Sequence, residues 1–157
     1  MQKKVYAFEG DAINFEVLSK NVRLNRVEDK IIPVKALLSD RDGISKIKMT
    51  GSGSSSTLAN DGTEVESITL NSFVINNNIE HIDFIKLDVE GAELDVLKGA
   101  RETIKKFKPK LAISVYHRGD DIITIPLFLY DLLKDTNFYL SHKNYTWTET
   151  VLFVSPR

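Results

Sequence analysis

Three segments of the chain end in side chains able to bind a polar ligand or move a proton. Lys4–Glu9 (KVYAFE) closes on a carboxylate, Phe84–Val89 carries Asp88 at its end with Glu90 just beyond, and Leu111–Tyr116 runs into His117. A carboxylate at a strand end can accept hydrogen bonds from both hydroxyls of a ribose, because a vicinal diol offers two donors to its two oxygens. That chemistry assigns Glu9 to a nucleoside without choosing the cofactor, since a nicotinamide enzyme uses the same acid. A histidine beside a carboxylate can take the proton of a hydroxyl, which pairs His117 with Asp88. Asp88, Glu90 and His117 could instead share a divalent metal, two carboxylates and an imidazole being acceptable ligands.

These residues need a scaffold that delivers them to one edge. Phe84, Ile85, Leu87 and Val89 form an apolar run of the kind buried on both faces of a parallel sheet. Leu94, Leu97, Ala100, Ile104 and Phe107 then recur at helical spacing up to Pro109, and Gly91 permits the sharp turn between strand and helix. If Leu111–Tyr116 is the parallel neighbour of Phe84–Val89, Asp88 and His117 share a rim, with strand axes about 4.8 Å apart. Glu90, at or just before the helix start, is shared between capping and the site. His81 precedes a strand and falls on the opposite rim.

The remaining punctuation is consistent with this frame. Asp11 is a predicted N-cap for a helix over Ala12–Asn25, which carries two apolar stripes, Phe15/Leu18/Val22 and Ile13/Val17/Leu24. Ile31–Leu38, Ile44–Thr50 and Val65–Leu70 read as strands, and a short helix is expected near Asn71–Ile75. Gly51–Gly62 (GSGSSSTLANDG) has the composition of a flexible loop and a candidate lid. Thr124 is expected to cap a helix from Ile125 to Lys134, with Pro126 in its first turn. Phe138–Ser141 and Trp147–Val154 read as a closing antiparallel pair, and Tyr116, Tyr145 and Trp147 could line an acceptor pocket.

Of 157 residues, 42% are hydrophobic and 27% charged, the composition of one ordinary globular α/β domain. Twenty-one basic and 22 acidic side chains nearly cancel, so neither nucleic acid nor an anionic membrane is favoured as partner. The absence of cysteine excludes disulfides and thiolate metal sites. No apolar run approaches membrane-spanning length and MQKKVYAFEG lacks a signal-peptide core, so the expected location is the cytoplasm.

Four stretches, VYAFEGD, ALLSDRDG, IDFIKLDVEGAELDVLKGA and ISVYHRGDD, together with the closing SHKNYTWTETVLF, resemble the FkbM-type S-adenosylmethionine-dependent methyltransferases. The resemblance implies a three-layer Rossmann-like fold with a mostly parallel sheet and a terminal antiparallel strand. It also implies methyl transfer from S-adenosylmethionine to a hydroxyl on a small molecule or glycan. In that frame Glu9, Ser39, Asp40 and Asp88 are cofactor contacts, Asp88 and His117 are catalytic, and Glu90 and His142 face the acceptor. A metal is not favoured. The family's first strand and glycine-rich loop have no counterpart here, so the chain is expected to enter the fold at its second strand, as an N-terminally incomplete domain. The competing expectations are an inactive binding module and a nucleotide-cofactor oxidoreductase, and the uncovered stripe of the first helix suits self-association.

Overall fold

The computed structural model describes residues 4–49, 56–58, 61–143, 145–146 and 148–157. The chain divides into two compact units, Met1–Ile68 and Thr69–Arg157.

In the first unit, β1 (Val5–Phe8) leads through Gly10 into α1 (Ala12–Leu24). Asp11 caps that helix as its sequence predicts, its Oδ1 accepting the Ile13 and Asn14 N–H groups at 2.9 Å. Val22 is buried while Ile13, Val17 and Leu24 are exposed, so the two stripes of α1 have different fates. β2 (Ile31–Val34) pairs in parallel with β1. The strand expected to continue to Leu38 breaks at Lys35–Ala36, where the Ala36 N–H donates to Val34 O at 3.0 Å and turns the backbone through a tight i→i−2 bend. β3 (Leu37–Leu38) therefore joins a different sheet, with β4 (Gly43–Met49), β5 (Ser56–Leu58) and β6 (Thr63–Ile68), in the order β3-β6-β4-β5. β5 lies within the stretch expected to be loop; residues 51–55 and 59–60 of that stretch are outside the described residues.

The second unit opens with α2 (Leu70–Asn76), capped by Thr69 Oγ1, which accepts the Ser72 N–H at 3.0 Å. β7 (Phe84–Leu87) follows, then α3 (Glu93–Gly99) and α4 (Arg101–Phe107). Sequence spacing predicts one helix across 93–107. Instead the Ala100 N–H bonds to Leu97 O, a tightened turn beside Gly99, itself a weak helix former. Lys108, in the left-handed region, ends α4 before Pro109, and β8 (Lys110–Ser114) runs parallel to β7. α5 (Asp121–Leu132) begins four residues before the expected Ile125. Thr124 is therefore inside the helix, its hydroxyl donating to Asp120 O, and Pro126 lies past the first turn. β9 (Thr136–His142) and β10 (Thr150–Pro156) form the expected antiparallel pair, giving the sheet order β7-β8-β10-β9.

Among the described residues three strand pairings are parallel and four antiparallel, so the pairings are more mixed than the mostly parallel sheet expected from sequence. Nor is β7 buried on both faces: Phe84 is 54% exposed and Lys86 is exposed, because a charged head in mid-strand requires solvent on one side. β8 meets that expectation better, being buried from Leu111 to Ser114. The core of this unit is Val96, Leu97, Ile104, Leu111, Ile113, Ile125, Leu129 and Val154. No helix of the described residues is long and apolar enough to cross a membrane.

Candidate active site

The parallel register of β7 and β8 pairs Leu87 with Ile113, so the next residues, Asp88 and Ser114, emerge side by side at the same sheet end. Ser114 Oγ donates to Asp88 Oδ1 at 2.8 Å and Lys86 Nζ donates to Oδ2 at 3.1 Å. Tyr116 OH lies 3.5 Å from Oδ1. Partial burial pushes the Asp88 carboxyl upward, yet the hydrogen bonds from Ser114 and Lys86, with the charges of Lys86 and His117, outweigh it and hold it below 3.8. Burial, followed by the charges of Asp88, Glu149 and Glu90, raises the Tyr116 phenol above 10.0, which keeps it a donor at neutral pH.

Because its pKa is depressed on folding, Asp88 contributes stability that is present above the ordinary carboxylate range and lost as pH falls through the lowered value. Urea unfolding of the wild type and of Asp88→Asn should differ at neutral pH, with the gap closing in acid. A gap independent of pH would show that the Asp88 charge adds nothing to the fold.

Between β7 and α3 the chain turns through two left-handed residues, Glu90 (φ 53°) and Gly91 (φ 92°). A non-glycine residue in that region costs about 1 kcal/mol, so the turn is held by its surroundings. A Cβ added at Gly91 would lie 3.4 Å from Arg118 Nε and 3.7 Å from His117 Cβ, which places this turn directly against the segment after β8. His117 Nε2 is 3.6 Å from Glu90 Oε2 and 3.8 Å from Asp88 Oδ1. Asp88, Glu90 and His117 are thus brought together as their positions in the sequence suggest.

Glu93, which sequence reasoning passed over, makes the shortest contact in the cluster. Its Oε1 is 2.7 Å from His117 Nδ1 and accepts the Val89 N–H at 2.9 Å. The expected capping share of Glu90 is therefore corrected: the N-cap of α3, Ala92, makes no side-chain cap, and the carboxylate that takes the free amide of the turn belongs to Glu93. Its side chain is fully buried, and Oε2 has no partner among the described residues. A signal was available, because residues 93, 97, 100 and 104 fall on one helical face and the other three are buried apolar residues. A carboxylate in such a stripe needs a partner. Ser114, at the end of an apolar strand, carried no comparable mark.

Among the described residues, the ligand-bearing groups that lie within 4.8 Å of one another are Asp88, Glu93 and His117, so Glu93 replaces Glu90 in the metal set expected from sequence. Asp121 is also buried, its carboxylate accepting the Arg118 N–H at 2.9 Å. Burial raises its pKa, the amide opposes the rise, and the Glu93 charge adds to it. His142 ends β9 at the same end of the sheet, separated from β8 by β10, and its Nδ1 lies 2.8 Å from Thr150 Oγ1. His81 pairs with Asp83 at the start of β7, on the other rim as expected. Tyr145 is exposed, and Trp147 lies outside the described residues.

In the first unit the expected cofactor contacts are locally engaged. Glu9 follows β1, and its Oε1 accepts the Asp11 N–H at 2.8 Å. Buried Ser39 donates its N–H to Ile68 O at 3.1 Å and its hydroxyl to the exposed Asp40 at 3.2 Å.

Residues 1–147 match the model of the Methyltransferase FkbM domain family. The fold is similar to the crystal structure of methyltransferase FkbM from Methylobacillus flagellatus KT, with a TM-score of 0.77 and 24% sequence identity. That similarity covers 97% of this chain and 36% of the other, so this chain spans about a third of that protein's length. No curated protein matches. A mixed α/β chain with a carboxylate–imidazole cluster at one sheet end, matched by that domain over almost all of its residues, belongs to the FkbM methyltransferase family.

Proposed function

We propose that the chain works as an S-adenosylmethionine-dependent O-methyltransferase domain in the family's Rossmann-like frame. The observation that carries the reading is His117, set among Asp88, Glu90 and Glu93 with Nε2 toward the two exposed carboxylates. The chemistry of the residues fits the methyl donor: Asp88 is held ionised and half-exposed, which suits a cationic group, and the Glu9 carboxylate after β1 suits a diol. When bound, S-adenosylmethionine supplies an electrophilic methyl group already activated by its sulfonium.

The chain's own contribution is to place and deprotonate the acceptor. The family resemblance assigns Glu9 to ribose hydroxyls and Ser39 and Asp40 to adenine, all three in the first unit, and assigns Asp88 of the second unit to the methyl donor. His117 takes the proton of the acceptor hydroxyl, with Glu90 and His142 as acceptor contacts. The acceptor is a hydroxyl of a small molecule or glycan, and the setting we assign is the cytoplasm, with self-association of the chain.

Calorimetric titration with S-adenosylmethionine tests this reading. Saturable binding is expected, weakened about tenfold in Asp88→Asn by loss of one charge-assisted contact. Affinity no better than millimolar would instead support an inactive binding module, and saturation by a nicotinamide cofactor alone would support an oxidoreductase. A metal-assisted variant has one observation in its favour, the ligand atoms of Asp88, Glu93 and His117 within 4.8 Å of one another. Against Nδ1 and Oε1 as ligands of one ion, their 2.7 Å separation is that of a hydrogen bond between them. Turnover should therefore survive a chelator, and its loss would select the metal reading.

A further inference from the structure

We propose that Glu93 is the positioning residue of His117, and that the two act as a carboxylate–imidazole dyad whose buried acid balances a proton taken up at Nε2. The hydrogen bonds fix the direction. As a carboxylate, Glu93 only accepts: its Oε1 takes the Val89 N–H at 2.9 Å and faces Nδ1 at 2.7 Å, which assigns the hydrogen between them to the imidazole. A neutral imidazole with its hydrogen on Nδ1 has its lone pair on Nε2. That nitrogen, at 3.6 and 3.8 Å from Glu90 and Asp88, makes no hydrogen bond to either.

Burial supplies the second half of the argument. Glu93 is 0% exposed, and its Oε2 is unpartnered among the described residues. A carboxylate so poorly compensated gains most when a positive charge forms beside it. The imidazolium produced by proton uptake is that charge, and it forms 2.7 Å from Oε1.

The catalytic half rests on the methyl-transfer reading. The acceptor oxygen forms the new O–C bond with its electron pair, and its proton passes to His117 Nε2. The S–C bond breaks with its pair left on sulfur. One positive charge thus leaves the sulfonium and appears on the imidazole beside Glu93, so Glu93 favours the charge distribution after transfer over the one before it.

The positioning half can be read without any turnover. Long-range 15N–1H correlation spectra of the full chain, recorded at alkaline pH so that the imidazoles are neutral, report the tautomer of each of the three histidines. The His117 signal is assigned by its loss in His117→Gln. The expected result is the Nδ1–H tautomer for His117, reverting in Glu93→Leu to the Nε2–H form that free imidazole side chains prefer. In the same variant turnover should fall about 10²-fold, with the KM for the methyl donor unchanged. A wild-type Nε2–H tautomer overturns the proposal even if Glu93→Leu does not fold, and so does a folded Glu93→Leu that keeps Nδ1–H. If the tautomer is as expected while the wild type transfers no methyl group to any hydroxyl, the positioning role stands and the methyltransferase reading fails.

Discussion

Replacing His117 by glutamine is expected to slow methyl transfer about 10²- to 10⁴-fold while leaving the affinity for S-adenosylmethionine unchanged. The range is that of a general base removed from an otherwise intact site, about 3–5 kcal/mol of transition-state stabilisation. Glutamine is the informative replacement because its amide can still donate toward Glu93, so the buried carboxylate keeps a partner. It has no nitrogen lone pair with which to take a proton. The His117 side chain is only 11% exposed and its ring lies 4.2 Å from that of Tyr116, so a smaller residue would confuse lost chemistry with lost packing. Steady-state rates with any acceptor the wild type methylates give kcat and KM separately. A fall confined to kcat identifies the base, whereas a rise in KM alone would make His117 a binding residue. Wild-type turnover in His117→Gln would assign proton removal elsewhere, with Asp88 as the next carboxylate on the rim.

The sequence disclosed this rim because its two strands are marked by apolar runs, and a charged or imidazole group after such a run has few places to go. Asp88 and His117 fall together on sequence grounds alone because parallel strands deliver their carboxyl ends to one edge. The hairpin of β9 and β10 and the Asp11 cap were legible for similar reasons, each depending on a local pattern read over a few residues. Glu93 was missed because an acid in the first turn of a helix is usually read as serving the helix dipole. Its place on the stripe of Leu97, Ala100 and Ile104, all of them buried, shows that its face points inward. The break at Lys35–Ala36 had no local mark either. It is a change of sheet within an apolar run, decided by which neighbour each half pairs with. The start of α5 was hidden for a different reason. Asp120 and Asp121 look like solvated loop residues in sequence, but the Asp121 carboxylate is buried and closes the turn onto the Arg118 amide.

Truncation of Leu129 to alanine is expected to cost about 2–5 kcal/mol, a large share of the roughly 5–15 kcal/mol that holds an ordinary domain together. Leu129 is 0% exposed in the middle of α5, one turn after the equally buried Ile125, and α5 packs on α3. Removing its branched end leaves a void in a close-packed core around a fully buried side chain, which is why the upper half of the range is expected. Tyr130→Ala on the same helix, at an exposed position, should change stability by less than about 0.5 kcal/mol and so controls for helix propensity. Urea unfolding should show a lower midpoint at unchanged slope, and a changed slope would point to a loosened native state. The same variant separates two ways of holding the site, because α5 packs on α3, the helix that carries Glu93. If folded Leu129→Ala keeps the Nδ1–H tautomer of His117, the Glu93, Val89 and His117 hydrogen bonds fix the dyad locally. If the tautomer scrambles while the chain stays folded, the geometry of the rim is set by packing behind it, and activity should fall with core stability across any series of substitutions at this helix pair.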